Sequence, residues 1–177
     1  MDLHDEDGVV TPPVIATRRL TLRPVTLHDV DAITDAMRHW DVVQWLTAPT
    51  FPYARTDAVY FVTQIIPSVT NWAIDAGEGL IGMIGVKPDL GYWLHRDFHG
   101  QHIMSEAAEA VTGRYFDQSS DDLVSGHYPN NHASRKVLQR LGFVDVGFAD
   151  QVQTATQEVV TVQRMALTKV AWGARHG

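Results

Sequence analysis

Gly91-Tyr92-Trp93-Leu94-His95-Arg96-Asp97-Phe98-His99-Gly100-Gln101-His102-Ile103-Met104-Ser105-Glu106-Ala107-Ala108-Glu109-Ala110-Val111 is the stretch on which the reading of this chain turns. It opens with apolar and aromatic residues, which predict a strand ending near Leu94. The apolar period then changes. Ile103, Ala107, Val111 and Tyr115 fall four apart, with Met104 and Ala108 alongside, so a helix of about four turns follows. Between the two lies a short loop containing Gly100. A helix start exposes unpaired backbone N–H groups and a partial positive charge. A glycine just before it lets the backbone close on an anion. The N–H groups of Gln101, His102, Ile103, Met104 and Ser105 would then converge on a pyrophosphate. On spacing alone the segment reads first as an ordinary helix start. It is not a P-loop, because no Gly-Lys-Ser/Thr follows, nor a Rossmann fingerprint, because two of the three glycines are missing.

Working outward, Leu20 and Leu22 belong to a first strand stopped by Pro24. Thr26 to Asp29 has the form of a capping box. Val30, Ile33, Met37 and Trp40 then recur at helical spacing, with Trp40 read as core. A second helix follows Thr56, with Ala58, Val62 and Ile65 on one stripe and Pro67 at its end. NWAIDA (71–76), LIGMIGVK (80–87) and LGYWLH (90–95) are short strands at hairpin spacing, which should pair antiparallel. DDLVSGHYP (121–129) is another strand. Asn131 to Arg140 is a shorter helix turning Ala133, Val137 and Leu138 inward, with Gly142 in the left-handed capping position. FVDVGF (143–148) and VVTVQRMAL (159–167) are the last strands. The order β-α-α-β-β-β-α-β-α-β-β predicts an α+β fold: one mixed, mostly antiparallel sheet flanked by helices. Residues 1–15, acidic and ending in a proline pair, are expected to be a disordered tail, residues 16–170 a single domain, and 171–177 a second tail.

Composition narrows the function classes. The chain has 177 residues, 45% hydrophobic and 20% charged, enough to bury a core without staples. It has no cysteine, which excludes disulfides, thiolate metal sites and a cysteinyl acyl-enzyme. With 14 Lys+Arg against 21 Asp+Glu, the net charge of −7 argues against a general nucleic-acid binder. No run approaches the ~20 apolar residues of a membrane span, and the start is acidic with no signal-peptide apolar run, so a cytoplasmic location is expected. Nine histidines raise the question of a metal. His95, His99 and His102 cluster in the loop, but no His-Glu-x-x-His occurs and three loop histidines need not converge, so no metal site is expected.

Two segments together carry a family resemblance. Tyr92 to His95 with Phe98 to Ala107 is similar to the acetyl-CoA-binding motif of the GNAT acetyltransferases. Downstream, Asn131-His132-Ala133-Ser134-Arg135-Lys136-Val137-Leu138-Gln139-Arg140-Leu141-Gly142-Phe143 resembles the family's Asn-x-Ala-Ser, Val-Leu and Leu-Gly-Phe pattern. The match looks closest to the branch of ribosomal-protein N-terminal acetyltransferases, RimJ and RimL, and runs from about Ala16 to Leu167. It departs at His102, where the family usually has a second Gly or Ala, and at Asp97, where it usually has Gln or Arg. A Cβ at 102 would crowd the pyrophosphate unless the imidazole itself donates to it. An aspartate at 97 adds negative charge if it points that way.

The resemblance implies a GNAT acyl-CoA N-acyltransferase fold and direct attack of a primary amine on acetyl-CoA in a ternary complex. The acceptor would be a peptide N-terminus or a small amine. In that reading Tyr92, Trp93 and Leu94 pair their backbone with the pantetheine arm and offer an N–H to the oxyanion. Their side chains read equally as core. Asn131 bonds the pantetheine arm or caps its helix, and its two ends allow both. Ser134, three residues on and on the same helix face, donates to the departing thiolate or simply packs. For the general base the candidates are His127, Tyr128 and Asp89, or a water chain. His127 and Tyr128, adjacent on one strand, should face opposite sides. Glu106 reads as a helix-dipole and loop-bracing residue. Trp45, Phe51 and Tyr53 are candidates for the acceptor cleft. The rival class is a non-catalytic acyl-CoA-binding module of the same fold.

Overall fold

The structure, a computed structural model, describes residues 11–86 and 88–176. Residues 1–10, most of the expected acidic tail, lie outside the described residues, as does Gly177. In chain order the elements are β1 (Ile15–Ala16), β2 (Thr21–Pro24), α1 (Val30–Met37), α2 (Trp40–Val43), α3 (Arg55–Tyr60), β3 (Asn71–Asp75), β4 (Leu80–Val86) and β5 (Leu90–Leu94). They continue with α4 (Ile103–Gln118), β6 (Leu123–His127), α5 (His132–Leu141), β7 (Val144–Val152), β8 (Val159–Leu167) and α6 (Lys169–His176). The predicted antiparallel run is present as β3-β4-β5, within one sheet ordered β1-β2-β3-β4-β5-β6-β8-β7. Among the described strands the single parallel pair is β5 with β6, because α4 carries the chain across the sheet between them.

Helices cover both faces of this sheet. On one side α4 and α5 bury Ile103, Ala107, Val111, Leu138 and Leu141 against Leu22, Trp72, Ile74 and Ile84. On the other, α1 to α3 bury Val30, Ile33, Met37, Val43 and Ala58 against Ala73 and Met83. The alternation of Trp72, Ala73 and Ile74 between the two clusters is the period-2 pattern of a strand covered on both faces. Local signals also hold. Thr26 N–H donates to Asp29 Oδ2 at 2.8 Å as the capping box requires, and Gly142 ends α5 at φ +100°. Asp29 is buried. That alone would raise its pKa, but the Arg23 guanidinium and Thr26 hold it below the ordinary value.

Three expectations need correction. Trp40 is not core: α2 is a single turn whose buried positions go to Val42 and Val43, leaving Trp40 41% exposed and edge-on to Phe51. Pro67 does not end the second helix, which runs on through a wide turn at Phe61–Ile65 and a tight turn at Ile66–Ser68. A proline is tolerated near the start of such a turn because its N–H is not needed there. Residues 171–176 are not a tail but part of α6, held by Trp172 stacking on Phe116. At the other end Ile15 pairs with Leu22, and the Trp72 indole donates to the Pro13 carbonyl at 2.8 Å. No helix among the described residues is long and apolar enough to cross a membrane.

Candidate active site

The sheet parts where its one parallel pair fails. β5 and β6 share a single paired position, Leu90 with Ser125, where the Ser125 hydroxyl donates to the Leu90 carbonyl at 2.7 Å. Beyond it the strands separate around a cleft of about 540 Å³. The register shows which backbone groups face this opening. His95 N–H donates to the Ile81 carbonyl at 2.8 Å, so the main-chain groups of His95, Trp93 and Gly91 are turned to β4. Those of Tyr92 and Leu94 must then face the cleft. The expected backbone edge of Tyr92, Trp93 and Leu94 thus reduces to Tyr92 and Leu94. The Leu94 carbonyl is already taken by a 2.9 Å bond from His99 Nε2.

The loop after β5 delivers the chain to α4. Gly100 sits at φ +74° and His102 at φ +58°, both left-handed, and the first intrahelical bond runs from Glu106 N–H to the His102 carbonyl. The N–H groups of Ile103, Met104 and Ser105 precede that bond and have no helical carbonyl to serve. Gly100, His102, Ile103, Met104 and Ser105 all line the cleft. Gln101 does not. Its side chain donates to the Asp97 carbonyl at 3.2 Å, and its own carbonyl accepts from Arg19 at 3.1 Å. Glu106 braces the loop as expected, accepting from the Thr17 hydroxyl at 2.6 Å, Arg19 N–H at 2.8 Å and Arg19 Nε at 2.7 Å. Burial alone would raise its pKa, but these donors outweigh it and bring the carboxyl down to about 2.

Both departures, at 97 and 102, have partners within the protein. The Asp97 carboxylate lies 3.6 Å from both Arg96 Nε and His95 Nδ1, turned towards its own chain neighbours. The His102 Nδ1 accepts from the Arg140 guanidinium at 2.7 Å, and Arg140 also lies 3.5 Å from the Ser105 hydroxyl. The fixed positive charge at this helix start is therefore Arg140 of α5. The sequence reading missed it, although Ala133, Lys136 or Val137, and Arg140 recur at helical spacing along the cleft-lining side of α5.

Asn131 and Ser134 face the cleft together. Asn131 Oδ1 caps α5 by accepting from Ser134 N–H at 3.0 Å, which leaves its Nδ2 without a partner among the described residues. The Ser134 hydroxyl lies 2.9 Å from the Tyr92 hydroxyl, whose other neighbour is the Ser134 carbonyl at 3.3 Å. Burial raises the Tyr92 phenol above its ordinary value. Tyr92 packs with the core beneath α4 and Trp93 with the opposite core, so both side chains are structural on their outer faces.

His127 and Tyr128 both line the cleft, contrary to the expectation that only one could. Strict alternation lapses because β6 ends at His127. The His127 Nδ1–H donates to the Tyr128 carbonyl at 2.8 Å, so in the neutral ring Nε2 carries a lone pair. That Nε2 is buried and unpartnered, and the Tyr128 hydroxyl is buried facing the Gln153 side chain. Burial also raises the Tyr128 phenol. Asp89, the third base candidate, is tied to Arg164 at 2.6 Å. Trp45 stands in the cleft wall with its ring 6.4 Å from Tyr128, whereas Phe51 and Tyr53 lie outside the lining. His95, His99 and His102 do not converge, each serving a different partner.

A family profile described as "Acetyltransferase (GNAT) domain" matches residues 19–144, which include the splayed strand, the loop and the second helix. The chain belongs to the GNAT acetyltransferase family. It is an acetyl-CoA-dependent enzyme that passes an acetyl group to an amine, and the GNAT fold read from the sequence is the fold it has. No curated protein sequence gives a significant match. Among solved structures, an acetyltransferase from T. thermophilus is similar over 92% of this chain and 93% of its own, at 19% identity and a TM-score of 0.81. The microcin self-immunity acetyltransferase MccE, in complex with acetyl-CoA and AMP, matches over 86% and 93% at 17% identity and a TM-score of 0.75. RimL, a ribosomal alpha-N-protein acetyltransferase in complex with coenzyme A, matches over 88% and 98% at 22% identity and a TM-score of 0.75. In this GNAT enzyme the residues lining the cleft suit coenzyme A. They offer free helix N–H groups and a guanidinium for the diphosphate, and an open strand edge for the amide-bearing arm.

Proposed function

We propose that residues 16–170 form one catalytic domain of the RimJ/RimL-like kind, acetylating the primary amine of a peptide N-terminus or of a small molecule without a covalent enzyme intermediate. A cytoplasmic setting fits such an acceptor. The observation that carries the assignment of roles is the buried, unpartnered Nε2 of His127 at the end of β6, in the cleft that also holds Tyr128 and Ser134. Orphaned buried groups are rare in folded proteins and are expected where a ligand completes them.

In this reading Ile103, Met104 and Ser105 N–H groups and Arg140 hold the diphosphate, with Gly100 and His102 giving the backbone its turn. Asn131 Nδ2 and the Tyr92 edge hold the pantetheine arm. A cleft-facing N–H of Tyr92 or Leu94 stabilises the oxyanion as the amine nitrogen bonds to the thioester carbon. His127 Nε2 accepts the proton the amine loses. Tyr92 donates to Ser134, which leaves the Ser134 O–H free to donate to the sulfur as the C–S bond breaks. Tyr128 orients the amine beside Trp45.

The test is release of CoA thiol from acetyl-CoA with a panel of N-terminal peptides and small amines, run on the parent and on His127→Gln. Turnover with at least one class, and a rate loss of ~10²-fold or more in the variant, are expected. Parent-like turnover in His127→Gln removes it as the base. Acetyl-CoA binding with no thiol release from any amine favours the binding-module reading.

A further inference from the structure

Outside the cleft lining, three side chains from separate parts of the chain meet: Asp35 of α1, His39 just before α2, and His95 just after β5. One ligand atom from each lies within 4.8 Å of the other two. His95 Nε2 is 3.3 Å from Asp35 Oδ2. Two bonds of 2.0–2.1 Å at a tetrahedral angle span about 3.3 Å, so this pair already stands at the bite of a tetrahedral ion. The His39 ring stands at 90° to that of His95, their centroids 5.6 Å apart, and its nitrogens have no hydrogen-bond partner among the described residues. Behind His95, the Asp97 carboxylate lies 3.6 Å from Nδ1. That is the second carboxylate that usually orients a metal-bound imidazole.

We propose that Asp35, His39 and His95 form a binding site for a divalent transition ion, zinc being the best match. Two imidazoles and one carboxylate suit zinc and its d-block neighbours, whereas magnesium and calcium prefer oxygen shells. Water fills the fourth position. On binding, the neutral His95 ring keeps its single proton but moves it to Nδ1, where Asp97 accepts it. The Asp97 N–H bond to Nδ1 (3.2 Å) is given up. The ion would tie the segment carrying Asp41, Val42 and Trp45, which wall the acceptor side, to the loop that leads to Gly100. The sequence cannot suggest this set, because Asp35 and His39 lie in a separate helical region from His95.

The experiment uses the untagged full chain, stripped of metal by chelator, titrated with zinc alone by calorimetry and thermal shift without acetyl-CoA. One equivalent per chain and a raised Tm are expected, with no response to magnesium. Cobalt alone should give the visible absorption of a four-coordinate site. Asp35→Asn, His39→Ala and His95→Ala should each weaken zinc by at least ~10-fold, with His132→Ala and His176→Ala unchanged. If His95→Ala fails to fold, the first two variants carry the test, since His39 and Asp35 are not core. Absence of stoichiometric binding, or parent affinity in His39→Ala or Asp35→Asn, overturns the proposal. Because no turnover is read, failure here is distinguishable from failure of the roles assigned to His127 and Ser134.

Discussion

Replacing Ser134 by alanine separates a chemical role from a packing role. The hydroxyl sits 2.9 Å from the Tyr92 hydroxyl, which has the Ser134 carbonyl at 3.3 Å as a second acceptor. Removing Oγ therefore leaves Tyr92 with somewhere to donate. The loss of one hydrogen bond should cost about 1 kcal/mol of stability, with no orphaned phenol to add more. The kinetic effect should be larger. A positioned acid typically contributes 10²–10⁴-fold, and a hydroxyl, being a weak acid, belongs near the bottom of that range. A fall of ~10²-fold in kcat corresponds to ~2.7 kcal/mol of transition-state stabilisation. KM for acetyl-CoA should change little, because the diphosphate and pantetheine contacts lie elsewhere. The assay is thiol release followed with a thiol reagent, free of background because the chain has no cysteine. Denaturant unfolding is measured in parallel. A kcat within threefold of the parent at matched stability would refute the donor role. A rate loss that tracks the loss of folded protein would reduce Ser134 to packing.

Glu106→Gln should lower stability at pH 7 by ~1–2 kcal/mol, after allowing for solvent screening of a surface-edge ion pair. Because the folded pKa is depressed to about 2, this contribution is present above the ordinary glutamate range and is lost as pH falls from about 4.5 towards 2. Urea unfolding from pH 7 to 2 should show the parent and variant curves converging in acid, and curves that stay parallel would contradict the brace. Arg140→Ala should weaken CoA binding about 10-fold by calorimetry, while pantetheine, which lacks the diphosphate, should bind both proteins alike. An equal loss for both ligands would show that Arg140 acts through α5 rather than through charge. His102→Gly should raise Tm or leave it unchanged, since a left-handed non-glycine residue costs about 1–2 kcal/mol, and should not weaken CoA binding. Weaker binding in that variant would show that the imidazole itself contacts the cofactor.

Local chemistry was legible at short range. Residues that act within one element, such as Asn131 as a cap, Gly142 as a left-handed stop and the Ile103-Ala107-Val111 stripe, follow from backbone sterics and helical period. The antiparallel run β3-β4-β5 followed from turn lengths. Trp40 failed because a helix of one turn cannot bury every apolar side chain that the period assigns to it.

What the sequence by itself determined, then, is the order of the main elements from β2 to β8, the family and the strand–loop–helix that would grip a diphosphate. Only the tertiary structure decided that His127 and Tyr128 share one cleft, that Arg140 supplies the charge beside His102, that Glu106 ties back to Arg19, and that His95 meets Asp35 and His39. The physical reason is range. Propensity and periodicity act over a few residues along the chain, whereas these meetings depend on how helices cross a sheet and where two strands part.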